Sequence, residues 1–447
     1  MQATRTAKSS GPSLEEARRL CRSLYESCAC LTIHGEFKEE LLKSKKTLQA
    51  MQVLIRADDL AEDTQLAFLY TTIVYNMCRS REDKIRPKKN EFPFNELGDD
   101  DLAAVEEFYE KMPAESRPVK NGEVDAGSRE LAESLRSWCI LQQGGSKPST
   151  VVDNTPSSVV SHLGKCALHG SPKVKSLVAL SLKYLCAEQK HRRFLVSGGG
   201  IRTLLGLVDL EEEVARDAAR QTLAQVCIVT NPSAFSYSEQ LDTVRPLVNL
   251  LDHRHELLQF EAAMALTNLL TVSDELRTRA IQAEAWNGCK ELLFSENDML
   301  QRAGIEALCN LCMAPEILER FADGRAELEI KVFIGFCGSE DIATRIASSG
   351  ALAMLASCEE VAIKITESSH FDTFLTVLAE TDESDVLHRL VSVACGICEA
   401  KGCPAQVATR IKGAVREQRS KGFMSAEARA LASSLLAEDG ASIAGGA

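Results

Sequence analysis

The stretch FEAAMALTNLLTV, Phe260 to Val272, returns further along the chain as RAGIEALCNLCMA, Arg302 to Ala314. At about 100° per residue, Leu258, Ala262, Ala265, Leu266 and Leu269 fall on one stripe of a helix, as do Leu300, Gly304, Ala307, Leu308 and Leu311. The same template fits Thr344, Ser348, Ala351, Leu352 and Leu355, and again Val386, Leu390, Val393, Ala394 and Ile397. Small residues recur at its second and third places, which allows a neighbouring helix to approach closely.

Working outward, TLAQVCI around Gln225 and SLKYLCA around Tyr184 occupy the equivalent place, so markers stand at 184, 225, 268, 310, 354 and 396. The spacings are 41, 43, 42, 44 and 42. A period near 40 in which each unit can bury its apolar face only against the next predicts an all-α, armadillo-repeat right-handed superhelical solenoid. Between markers the chain supplies a short helix, a glycine break at Gly198 to Gly200 that is expected to recur at Gly288, a second helix, then the long third helix. Ser295, Asn297 and Ser384 are candidate N-caps, and Pro315 and Gly402 follow long helices.

The amino-terminal third is less regular. Gln65 to Ser80 has the look of a long helix with Asn76 at the marker place, but the next marker comes only at Tyr184, well over two periods on. An insertion is therefore expected over 86–156, with helices near Leu102 to Lys111 and Arg129 to Leu141 and mobile loops over 113–127 and 144–156. The expected organisation is a disordered terminus over 1–13, an irregular helical part over 14–160, the regular array over 161–436 and a disordered tail over 437–447.

Composition agrees with a helical reading: 45% of residues are hydrophobic, 26% charged and only 5% aromatic. The net charge of −13 argues against nucleic acid as a partner, because that affinity comes from Lys and Arg neutralising phosphates. There is no signal-peptide core and no apolar run long enough to span a bilayer, so a cytoplasmic protein without membrane contact is expected. Most of the sixteen scattered cysteines then read as small buried hydrophobes.

Candidate chemistry is sparse. CGIC, Cys395 to Cys398, imitates a thiol-redox motif but lies late in a long helix, in register with CNLC at Cys309 to Cys312, which points to packing. SGGGIRTLLG lacks the Lys and Ser/Thr of a phosphate-binding loop and follows no strand, so it reads as a turn between helices. No metal-ligand spacing is present, and neither catalytic residues nor a cofactor are expected. What remains is the strip opposite the core stripe: Phe260, Glu261, Met264 and Asn268 on one helix, then Arg302, Glu306, Asn310 and Met313 on the next, continued by Met354 and His388. In an armadillo stack the third helices line a concave groove, where an asparagine amide can bind the backbone of an extended segment. The competing role for Asn268 and Asn310 is to satisfy loop backbone groups.

The segment QFEAAMALTNLLTVSDELRTRAI resembles the F-E-x-x-M-A-L-T-N-L stretch of the UCS-domain myosin chaperones. RAGIEALCNLCMAPEILERF resembles their R-A-A-x-x-x-L-C-N-L-x-M-S stretch, and FSYSEQLDTVRPLVNLL their I-R-P-L-L-N-L-L stretch. Weaker similarity runs from about Gln65 to Ala400. The resemblance implies a chaperone that binds the myosin motor domain and promotes its folding and assembly without hydrolysing nucleotide. It also implies a client site in the groove of the carboxy-terminal repeats, to which Phe260, Glu261, Asn268, Arg302 and Asn310 correspond. Longer relatives recruit the ninety-kilodalton heat-shock chaperone through a tetratricopeptide module that this sequence does not show. Either the sequence is the UCS part of a longer protein or it belongs to the shorter class. Met354 and Gly396 depart from the polar marker, and the insertion matches only loosely.

Two alternatives compete. An armadillo adaptor for extended peptides, such as an import receptor, would carry tryptophans one turn before the groove asparagines, where this chain has Met264 and Glu306. A thiol enzyme would need a reactive Cys395.

Overall fold

The computed structural model describes residues 14–80 apart from 54 and 56, then 126–141 and 158–441. These form helices and no strand, and they divide into two compact units, Met1–Thr230 and Asn231–Ala447. The expected helix at 102–111, the expected loop over 144–156 and all but 126–127 of the loop expected over 113–127 lie outside the described residues, as does the terminus before Leu14.

In the first unit, α1 (Leu14–Leu31) is followed by α2 (Gly35–Lys43), α3 (Lys45–Val53), α4 (Ala57–Glu62) and α5 (Thr64–Cys78). After α6 (Ala126–Leu141) come α7 (Ser158–His169), α8 (Pro172–Leu185), α9 (Gln189–Ser197), α10 (Gly200–Leu205) and α11 (Glu213–Val229). The long helices form a ladder: α1 packs on α5, α5 on α8 and α8 on α11. The long step from Asn76 to Tyr184 is thus a single rung, because α5 and α8 are direct neighbours.

The second unit opens with a 3-10 turn (Pro232–Ala234), α12 (Tyr237–Leu251) and α13 (Glu256–Leu270). Then follow α14 (Asp274–Gln282), α15 (Ala285–Leu292), α16 (Asp298–Leu311), α17 (Pro315–Ala322), α18 (Glu327–Phe336) and α19 (Ile342–Leu355). The chain ends with α20 (Glu359–Glu367), α21 (Phe371–Glu380), α22 (Ser384–Glu399), α23 (Ala405–Lys421) and α24 (Ala426–Ala441). Here the rungs are α13, α16, α19, α22 and α24, each packed on the next.

Every position of the four core stripes is buried. The small second place has a visible cause: a Cβ added at Gly304 would lie 2.8 Å from the carbonyl oxygen of Cys289 on α15, a contact that only a hydrogen allows. Asn297 caps α16 by accepting from the amide of Met299, and Pro315 takes the first turn of α17, where its missing N–H costs nothing.

Three local expectations need correction. Gly288 is no break: it sits inside α15 against Leu251. The turn there falls earlier, at Glu284 with φ 69°, and the recurring left-handed residue between first and second helices is Gly199 (φ 78°), Glu284, then Gly324 (φ 73°). A turn needs that backbone conformation, not the glycine residue as such, and Glu284 adopts it at a steric cost of about 1 kcal/mol. Ser384 is the first helical residue of α22, not its cap, which is Glu383. At the other end, α24 runs on to Ala441, into the stretch expected as a tail.

Candidate functional site

Four neighbouring rungs, α13, α16, α19 and α22, carry the strip that the register singles out. Phe260, Glu261, Met264 and Asn268 are half-buried beside fully buried Ala262, Ala265 and Leu266. Arg302, Glu306 and Asn310 on α16, Met354 on α19 and His388 on α22 are likewise half-buried, and Met313, just past α16, is exposed. The strip residues are therefore reachable on each of four adjacent rungs.

The asparagine has a structural partner. A helix leaves its last four carbonyls without an intrahelical donor, and α13 shows where each goes. Thr267 O accepts from Asn310 Nδ2 of the next rung at 2.8 Å, Asn268 O from the Thr271 hydroxyl at 2.8 Å, Leu269 O from the Val272 amide at 3.2 Å, and Leu270 O from Arg277 at 2.7 Å. Asn76 does the same in the first unit, donating to Ala29 O at 3.2 Å at the end of α1. At these two markers the side chain thus bridges to the preceding long helix. Where the marker is Gly396 that role is gone, and an added Cβ would meet the carbonyl of Ala356 at 2.4 Å. The departure from asparagine there follows from a closer approach of the two rungs.

Around this bridge the strip is charged. Arg302 donates to Glu306 at 2.9 Å along one helix face, and it stands close enough to Asp341, the cap of α19, to help hold that carboxyl below its ordinary value. On Asp341, burial opposes the lowering, but hydrogen bonds from Thr344 and the Arg302 charge outweigh it. Sequence reasoning missed three members. Gly350 of α19 leaves a gap in which Cys309 Sγ of α16 and Arg389 Nε of α22 come within 3.3 and 3.5 Å of the place a Cβ would occupy. The register carried that signal, since Gly350 is in step with Met264 and Glu306, and Arg389 with Glu261.

The thiols of CNLC are held as neutral hydrophobes. Burial pushes Cys309 up to about 11 despite the nearby Arg389 charge, and raises Cys312 well above the ordinary thiol value. Cys395 lies in the last third of α22, with Leu431 O of α24 at 3.9 Å from its sulfur. Neither tryptophan is on a helix of the strip: Trp286 is buried on α15 against Phe321, and Trp138 is on α6. Among the described residues no three His, Cys, Asp or Glu side chains gather as a metal site, and no helix is long and apolar enough to cross a membrane.

One arrangement in the first unit has the order of a catalytic triad. Ser137 Oγ lies 3.1 Å from His191 Nε2, and His191 Nδ1 lies 3.0 Å from Glu188 Oε2. His191 is fully buried, and Arg136 pairs with Glu188 at 2.9 Å while donating to Cys78 O at 2.7 Å. The group ties α6 to α5 and to α9.

The Armadillo/beta-catenin-like repeat family matches residues 240–271, which span most of α12 and all of α13. Protein unc-45 homolog B of Homo sapiens is 29% identical over 389 residues, 86% of this chain and 38% of that protein. Ring assembly protein 3 of Schizosaccharomyces pombe is 26% identical over 388 residues, 81% of this chain and 47% of its own length. Over most of its length the chain is thus similar to proteins of the UCS-domain family. It spans less than half the length of these relatives. A solved structure described as the myosin chaperone UNC-45 from C. elegans in complex with a Hsp90 peptide superposes with a TM-score of 0.69 at 17% identity, covering 93% of this chain and 41% of that one. At that identity the likeness speaks for the fold alone.

Proposed function

We propose that the chain is a cytoplasmic myosin chaperone or co-chaperone that holds the myosin motor domain along the α13–α16–α19–α22 strip, in the concave groove of the array, and promotes its folding without hydrolysing nucleotide. The observation that carries the reading is the strip itself. Four successive rungs repeat their core while their reachable faces vary, offering Phe260 and Met264 as apolar contacts beside the Arg302–Glu306 pair and Arg389. Such a face suits an exposed client segment that needs both burial and polar anchoring. The similarity agrees, since a structural neighbour is described as a myosin chaperone. That relative's Hsp90 peptide makes the ninety-kilodalton heat-shock chaperone a second proposed partner, engaged through a region outside this sequence.

The test is suppression of heat aggregation of a purified myosin motor domain. The wild-type chain suppresses it. Phe260→Ala combined with Met264→Ala weakens suppression severalfold while helicity is retained, because both side chains are only half-buried. Unchanged suppression by a folded double variant removes the groove assignment. Absence of suppression by the wild type removes the chaperone reading.

A further inference from the structure

The glycine-rich turn has a use beyond joining two helices. A cavity of about 440 Å³ opens in the first unit between α7 and α10, lined by Ser161, Gly164, Lys165, Leu168, Lys175, Gly199 and Arg202 among others. Its cations come from three separate helices: Lys165 from α7, Lys175 from α8 and Arg202 from α10. No carboxylate lines it, in a chain whose acids outnumber its bases 64 to 51. Lys175 and Arg202 make no ion pair among the described residues, and the nearest carboxylate oxygen to Lys165 Nζ is that of exposed Asp58, 3.9 Å away. Three like charges converging on one concavity repel one another, and an anion relieves that repulsion.

Gly164, Gly198, Gly199 and Gly206 form part of the lining. A Cβ at Gly164 would press on Thr203 Oγ1 at 2.9 Å, and a Cβ at Gly198 would meet Val160 at 2.9 Å, so glycine here is what keeps the helices close and the space open. One wall is apolar, formed by Ala167 and by Leu168, which is 70% exposed. The volume is that of a small-molecule pocket and exceeds the need of a bare ion. We propose that this cavity binds a phosphate monoester carrying a small apolar group, with Lys165, Lys175 and Arg202 on the phosphate and Leu168 against the organic part.

The experiment is calorimetric titration of the full chain with phenyl phosphate at low ionic strength. Saturable binding is expected, weakened about tenfold in Lys175→Ala with Arg202→Ala and weakened again by added salt. Lys175→Arg retains binding, which separates a charge contact from a folding defect, and circular dichroism confirms that both variants are helical. Inorganic phosphate binds more weakly than phenyl phosphate if Leu168 serves the organic part. A short phosphotyrosine peptide, run beside the free compound, tells whether the monoester is borne by a metabolite or by a protein. Three results overturn the proposal: no saturable binding of either monoester, equal binding by the double variant, or equal affinity for inorganic phosphate and both monoesters.

Discussion

Asn310 answers the question that its repetition raises. Its donor is committed to Thr267 O of the previous rung, so its first duty is to close a helix end. Asn310→Ala should lower stability by about 1 kcal/mol in urea unfolding, the usual worth of one such bond at a half-buried place. Gly396→Ala should cost more, about 1–3 kcal/mol, because the new methyl must push two rungs apart. The reverse order of the two effects would contradict the bridge. Register alone identified the position, since a repeated asparagine can be read from the sequence. Which partner its amide meets depends on how far the next rung slides, and no spacing encodes that. Cysteine reactivity follows the same logic: at pH 8, alkylation should spare Cys312, raised well above the ordinary thiol value, and Cys289 and Cys337, each raised to about 12 by burial, until the chain unfolds. Exposed Cys30 should label first.

At the scale of elements, helices were legible wherever the apolar period was strong, as in α13 and α16, the latter with its cap at Asn297 as well. Boundaries were less so: the break assigned to Gly288 was really at Glu284, because the backbone there accepts a left-handed residue with a side chain. The irregular region hid its logic more deeply. Its link between α5, α6 and α9 is the Arg136–Glu188–His191 group, in which Arg136 lies 52 residues before Glu188. Burial works to raise the Glu188 carboxyl, but the His191 hydrogen bond and the Arg136 charge outweigh it and hold it below the ordinary value. A carboxyl depressed in the folded state stabilises above its unfolded pKa and loses that contribution as pH falls through the folded one. The melting temperature should therefore begin to drop below about pH 4.3, and Glu188→Gln should remove that component. Arg136→Ala, which takes the partner from a half-buried carboxylate, should cost about 1–3 kcal/mol at neutral pH.

For the whole molecule, the two proposed sites lie in different compact units, the client strip in 231–447 and the basic cavity in 1–230. They should separate on mutation. Lys175→Ala with Arg202→Ala should leave suppression of motor-domain aggregation intact, and Phe260→Ala with Met264→Ala should leave phenyl phosphate binding intact. Loss of both activities in either variant would show the sites to be coupled.

The sequence by itself determined the period, the buried stripes and the face left over, because stacking identical units writes the same hydrophobic residues at the same places in every repeat. Only the tertiary structure decided that the long step from Asn76 to Tyr184 makes one rung, that Asn310 closes the preceding helix, and that three cations from separate helices share a cavity. Those facts depend on distances between chain segments, which a local pattern of residues does not record.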